Sequence, residues 1–255
     1  MMDVNADVGE ERGDDAGLLA IVTSANVATG AHAGGGTVLD ETVRLAASTG
    51  VAIGAHPSYR DREGFGRVSM AGRISDSELV ADLVEQVMLV ADSCRRHGTA
   101  LRHVKAHGAL YNDAARDEGI AMALVDAVRN AGDLLGGSAL AVVGQAGSHL
   151  SQAAAGAGLP FVREAFADRA YLASGALAPR SRPGAVLVEA GDISDQVAAI
   201  ALARPIRTVD GSSIVVPADT ICLHGDTPGA VEHARQARRT LEALGVRVGA
   251  AGVLR

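Results

Sequence analysis

The sequence has no tryptophan, three tyrosines and three phenylalanines, so aromatic residues make up only 2% of its 255 positions. That scarcity argues against platforms for stacking nucleic-acid bases, and it leaves the core to be built from alanine, valine, leucine and isoleucine. Only two cysteines occur, Cys94 and Cys222, far apart and in no C-x-x-C spacing. Neither a disulfide framework nor a thiolate zinc site fits them. Positive charge is also scarce: 23 Lys and Arg against 30 Asp and Glu give a formal charge of −7. Such a balance argues against a surface that must neutralise many phosphates. The longest apolar run extends from Val197 to Ala203, far short of the ~20 residues needed to span a bilayer. The opening MMDVNADVGEERGDD has acids where a signal peptide needs a basic start and an apolar stretch. These absences predict a reduced, cytoplasmic chain without nucleic-acid or membrane partners.

What is present is 48% apolar residues and 31 glycines, arranged as short apolar runs alternating with segments of helical period. Candidate strands are Asp3–Val8, Ala25–Ala28, Val51–Gly54, Leu101–Lys105, Ala139–Val143, Phe161–Glu164, Val186–Glu189 and Thr220–Leu223, nearly continuous as strands buried on both faces should be. Helical spacing covers Val38–Thr49, Glu78–His97, Ala114–Ala131, Ser148–Ala155, Ile193–Ala203 and Gly229–Leu244. Ser75 with Glu78 supplies a capping box for the second of these, and Thr227 with Pro228 an N-cap and first-turn proline for the last. Ile206–Val216, with Asp210-Gly211 at its middle, reads as a hairpin. The alternation predicts an α/β fold with a parallel sheet, open or closed into a barrel. No linker divides the chain, so a single domain over 1–255 is expected.

Polar residues gather just after the strands: Asp7 and Glu10, His32, His56, Lys105 and His107, Glu164 with Asp168 and Arg169, and His224 with Asp226. In barrels and open α/β sheets the C-terminal strand ends meet on the ligand-binding face. A lone loop histidine is most often a satisfied packing group, but His32, His56, His107 and His224 all occupy the same kind of position. His97, His149 and His233 fall on helices and read as packing or surface residues. A carboxylate after a strand can merely cap the next helix, and Asp226 beside Thr227 and Pro228 fits that role. Asp7 and Glu164 lie on apolar strands, where burial demands a partner such as Lys105, Arg169 or a metal. Because H-E-x-x-H and H-x-H are absent, no tightly bound transition metal is expected. Glycines 30, 34, 35 and 36 read either as a phosphate cradle or as a plain turn, with no recognised nucleotide motif.

The ordered strings DVNADVGE, SANVATGAHAG, VAIGAHPSYRDREGFGR, HVKAHGALYN, EAFADRAY, GALAPR and ICLHGDTPGAV resemble the LamB/YcsF family, the A subunits of bacterial ATP-dependent 5-oxoprolinase, over nearly the whole chain. The resemblance implies a seven-stranded β/α barrel, TIM-like and similar to the deacetylase barrels, which leaves one strand candidate, Val186–Glu189, outside the closed sheet. It also implies ATP-dependent hydrolysis of 5-oxo-L-proline to L-glutamate, with separate B and C subunits as partners and ATP, with Mg2+, as co-substrate. Asp7, His32, His56, Lys105, His107, Glu164, Asp168, Arg169, His224 and Asp226 match the family's pattern. Ala6 and Thr29 stand where cysteines are common, which removes thiol catalysis. Ala31 replaces an aromatic residue, Ala106 a proline, and Gly35-Gly36 an Asp-Pro.

An unstrained lactam resists water, so its opening needs an activated carbonyl and a base. The residues leave the base open between Asp7 and Glu164 and the proton donor open between His107 and His224. Lys105 and Arg169 are candidates to neutralise phosphate or substrate carboxylate. Two rival readings use the same residues: a stand-alone metal-dependent amidohydrolase or deacetylase, and a non-catalytic protein that only binds the ligand for its partners.

Overall fold

The computed structural model describes residues 1–225, 227 and 229–254, so two of the expectations above, Asp226 and Pro228, lie outside the described residues. In chain order the strands are β1 (Asp3–Val8), β2 (Ser24–Ala28), β3 (Ala52–His56), β4 (Leu101–Lys105), β5 (Ala141–Gln145), β6 (Phe161–Phe166), β7 (Ile206–Arg207), β8 (Ser213–Ile214) and β9 (Thr220–Leu223). β1 to β6 and β9 pair in parallel and close into a barrel, with β9 hydrogen-bonded to both β6 and β1. The antiparallel β7–β8 pair is the expected hairpin, outside that barrel. The helices are α1 (Asp15–Leu19), α2 (Gly36–Thr49), α3 (Asp76–Arg96), α4 (Gly108–Arg116), α5 (Glu118–Leu134), α6 (His149–Gly156), α7 (Ala190–Ala201) and α8 (Ala230–Ala243).

Three expectations change in detail. Val186–Glu189 is not a strand: Val186 bridges Arg169 in the loop after β6, and Glu189 stands at the N-cap position of α7 without a side-chain capping bond. The helical run Ala114–Ala131 breaks at Asp117, which ends α4 and accepts from the Ile120 amide to start α5. The last helix begins after Gly229, held at φ 82. Thr227 instead turns its hydroxyl toward Asp168 at 3.5 Å.

Strand alternation sends Val4, Ala6 and Val8 outward into the apolar layer, where none is exposed, and Asp3, Asn5 and Asp7 inward. The barrel interior is therefore polar, unlike the branched aliphatic layers usual in such barrels. At its floor Asp3 accepts from the hydroxyls of Thr23 (2.5 Å), Ser24 (2.7 Å) and Thr220 (2.5 Å). One layer up, Asn26 Nδ2 donates to Asn5 Oδ1 and to Asp7 Oδ1, both at 2.8 Å, while Asn5 Nδ2 donates to Glu164 Oε1 at 3.0 Å and to Thr220 at 2.8 Å. With both Asn26 amide hydrogens spent, its Oδ1 must accept from His103 Nε2 at 2.8 Å. Burial keeps this imidazole neutral, pulling its pKa down to about 3.

The ring of His103 occupies the space a side chain at position 54 would need: a Cβ there would lie 2.1 Å from its Nε2. Gly54→Ala therefore forces the ring off Asn26, and we expect it to cost about 1–3 kcal/mol of stability plus the loss of a buried hydrogen bond. Equilibrium urea unfolding checks this, and unchanged stability would mean that the interior yields more easily than its packing implies.

Candidate active site

Asp7 ends the inward row of β1, Glu10 follows on the next turn, and His32 sits in the loop after β2. His56 ends β3, Lys105 ends β4 and His107 is the N-cap residue of α4, while Glu164 lies on β6, with Asp168 and Arg169 beyond it. His224 follows β9. Asp7, Glu10, His56, Lys105, His107, Phe166, Arg169 and His224 all line one cavity of about 290 Å³. His32, Glu164 and Asp168 stand behind that lining, each touching a residue in it. The described sequence candidates are thus brought together at one end of the barrel.

Lys105 is the centre of charge. Its Nζ lies 2.9 Å from Asp7 Oδ1 and 2.9 Å from Glu164 Oε1, with Asn5 Oδ1 at 3.2 Å and Cys222 Sγ at 3.0 Å. Burial opposes a charged amine here, but Asp7, Cys222 and Glu164 together raise its pKa well above the ordinary lysine value. Burial likewise opposes a charged Asp7, yet His56 and Lys105 hold its carboxyl well below the usual carboxylate range. Lys105 is therefore an ammonium group and Asp7 a weakly basic carboxylate. Tyr111 is buried against Glu164, and burial with that neighbouring charge holds the phenol well above its ordinary pKa. Neither its hydroxyl nor Glu164 Oε2 makes a well-formed hydrogen bond.

Three histidines pack beside this pair. His32 and His107 stack with centroids 3.7 Å apart and planes 4° from parallel, and His56 meets both edge-on. Glu10 Oε1 accepts from His32 Nε2 at 3.1 Å and lies 3.3 Å from His107 Nδ1 and 3.9 Å from His56 Nε2. Asp7 Oδ2 is 3.3 Å from His56 Nε2. Burial lowers the pKa values of His32 and His107. For His56 the Asp7 carboxylate overcomes burial and raises it. The loop carrying Phe65 clamps this cluster from outside, with Phe65 at φ 55 and its carbonyl accepting from His107 Nε2 at 2.9 Å. Gly66 is required beside it, because a Cβ there would sit 2.3 Å from Ser58 Oγ and 2.9 Å from both His107 and His32.

Across the cavity, Asp168 Oδ1 accepts from His224 Nδ1 at 2.9 Å, and its Oδ2 accepts from the His224 amide at 3.2 Å. Burial works against the charge on Asp168, but His224 lowers its pKa nonetheless. The His224 ring lies over Phe166 with centroids 5.3 Å apart. With Nδ1 engaged, Nε2 is the nitrogen left for the cavity. Arg67, Arg116, Arg169 and Arg180 also line it. Arg169 donates to the carbonyls of Ala178 at 2.6 Å and Ala185 at 3.3 Å, and burial brings its pKa down to about 10.

The glycine-rich loop is a packing device. A Cβ on Gly34 would lie 2.1 Å from the Gly9 carbonyl, and one on Gly35 2.9 Å from Gly30 Cα. Arg62 caps the Gly30 and Gly34 carbonyls at 3.1 Å each. Sequence reasoning passes over Asn5, Asn26, His103, Phe166 and Tyr111, and gives Glu10 no role. The alternation of Asp3, Asn5 and Asp7 along β1 is the signal for the polar interior.

The LamB/YcsF family profile matches residues 2–254. A protein from Streptomyces avermitilis, named as the A subunit of 5-oxoprolinase, is 47% identical over 98% of this chain and 99% of its own length. One of the same name from Symbiobacterium thermophilum is 44% identical over 98% and 95%. The crystal structure of a lactam utilization protein from Thermus thermophilus superposes with a TM-score of 0.88 at 40% identity, covering 98% of this chain and 99% of that one. With a family match over nearly its whole length and relatives of this identity, the chain belongs to the LamB/YcsF family.

Proposed function

We propose that the chain is the A subunit of a 5-oxoprolinase and hydrolyses 5-oxo-L-proline to L-glutamate together with B and C subunits, with consumption of ATP supplied as its Mg2+ complex. The observation that carries this reading is the convergence of the Asp168–His224 pair and the Asp7–Lys105–Glu164 cluster on one small cavity. At about 290 Å³ the space lies at the lower end of the ~300–1,000 Å³ usual for small-molecule sites. It suits a five-membered lactam better than a nucleotide.

Phosphorylation of the lactam oxygen by ATP, releasing ADP, makes the carbonyl carbon open to attack. Water then adds to it while giving a proton to His224 Nε2, and the C–N bond breaks as that proton passes to the ring nitrogen. The acyl phosphate left behind takes a second water and yields glutamate and phosphate. Asp168 fixes the His224 tautomer, in the way a buried carboxylate orients a catalytic imidazole. Lys105 holds Asp7 as a carboxylate and pairs with Glu164, and the arginines at the cavity, Arg169 among them, offset the charge of the substrate carboxylate and phosphate. Asp226 follows His224 in sequence and is included as a site residue on the family's pattern.

The test is reconstitution. The purified chain alone is expected to leave 5-oxoproline intact, and addition of the B and C subunits with Mg-ATP to release glutamate and ADP in step. Robust glutamate release by the isolated chain without ATP would instead favour a stand-alone amidohydrolase.

A further inference from the structure

We propose that Glu10 Oε1, His56 Nε2 and His107 Nδ1 form a three-ligand site for one divalent transition-metal ion of the zinc or cobalt type, with a fourth position open to the cavity. This runs against the expectation drawn from the absence of H-E-x-x-H and H-x-H in the sequence. The ligands come from three separate strand ends, so no short motif could announce them.

Tautomers come first. His56 Nδ1 lies 2.7 Å from the Lys105 carbonyl and His107 Nε2 lies 2.9 Å from the Phe65 carbonyl. A carbonyl can only accept, so each ring carries a proton on that side. In the neutral rings this leaves lone pairs on His56 Nε2 and His107 Nδ1, which face each other at 3.1 Å. Two buried lone pairs at that distance need a cation or a proton between them. Main-chain carbonyls on the far nitrogen are also the supports that orient metal-ligating histidines.

Distances come second. Donor atoms around a tetrahedral ion with bonds of ~2.0–2.1 Å are about 3.3 Å apart. The three separations here are 3.1 Å between the two nitrogens, 3.3 Å from Glu10 Oε1 to His107 Nδ1, and 3.9 Å from Glu10 Oε1 to His56 Nε2. All three residues are buried, and all three line the cavity.

His32 belongs to the same cluster but plays a different part. Its ring is parallel to that of His107, and one ion cannot lie in two parallel ring planes. It donates instead to Glu10 Oε1 and holds that carboxylate in place. Asp7 Oδ2 lies 3.3 Å from His56 Nε2 and adds negative charge beside the ligand set. Such an ion would polarise a bound oxygen within the cavity.

The proposal rests on ligand geometry alone, so it is tested by binding and stands apart from the lactam reading. The dialysed full-length chain is titrated with Zn2+ by calorimetry and with Co2+ by visible absorption, without its partners or ATP. The expected result is saturation at one ion per chain with a ligand-field spectrum of low coordination number. Glu10→Gln, His56→Gln and His107→Gln should each weaken binding at least ~10-fold and change the cobalt spectrum. His32→Gln should weaken it about 10-fold while keeping the spectrum, and His97→Ala, on the outer end of α3, should change neither. Circular dichroism identifies any variant that fails to fold. For that case, anomalous scattering from zinc-soaked crystals of the unaltered chain decides, with an ion bonded to the three named atoms expected. No uptake by the unaltered chain, uptake indifferent to the three ligand substitutions, or an ion seated elsewhere would overturn the site.

Discussion

Replacement of Lys105 by methionine is expected to destabilise the chain by about 3–5 kcal/mol, the usual result of removing one partner from a buried charged group. For a domain of this size that corresponds to a fall in Tm of roughly 6–20 °C. The side chain is 2% exposed and its Nζ sits 2.9 Å from each of two carboxylates that are themselves buried. Methionine fills much the same volume, so the loss is electrostatic. Asp7 and Glu164 are left facing each other's charge, and one must take up a proton for the barrel to close. Glu164→Gln in the same chain removes one of those charges, so the double variant should recover part of the loss. The cycle formed with the single variants measures the coupling. Turnover in the reconstituted assembly should fall at least ~100-fold as well, about 2.7 kcal/mol. A Tm within a degree or two of the parent would show that the barrel centre admits water or rearranges to satisfy both acids.

That dual role of Lys105 can be posed from sequence and not decided there. Strand residues alternate, which puts Lys105 and His107 on one side of the chain, and they do share the cavity lining. Whether Lys105 meets a ligand or Asp7 depends on which strand closes the ring opposite β4, and no local pattern carries that. The short apolar runs locate the seven barrel strands to within a few residues because each must be buried on its outer face whatever lies within. They hide the interior for the same reason: Asn5, Asn26 and His103 look like breaks in an apolar run until the partners that satisfy them come from three other strands. Glu10 is lost in the acidic EERGDD stretch, where charge suggests a solvated loop. Its burial is made by His32 and His107, brought close by the tight packing of Gly34 on Gly9. Asp117 reads as an interior helix residue because the apolar period runs on across it, while its side chain in fact caps α5.

His224→Ala is expected to lower turnover of 5-oxoproline by at least ~100-fold in the assembly reconstituted with B and C subunits, within the 10²–10⁴-fold range of a general acid–base group. The imidazole sits at the cavity edge with its side chain 15% exposed, and its Nδ1 is tied to Asp168. Its loss should therefore leave Tm nearly unchanged and the complex with the partners intact. Asp168→Asn sharpens the assignment. An amide NH2 facing Nδ1 donates where the carboxylate accepted, so the imidazole proton moves to Nε2 and the nitrogen facing the cavity can no longer take one from water. The ring stays in place over Phe166, so substrate KM should change less than kcat. As a control, His97→Ala, whose ring pairs with Asp40 on the outer surface at 3.1 Å, should turn over at the parental rate. Glutamate release followed beside the melting curve of each variant separates the outcomes. Near-parental rates in His224→Ala, with the complex assembled, would remove this histidine from the chemistry and return the proton transfers to the His56 and His107 side of the cavity.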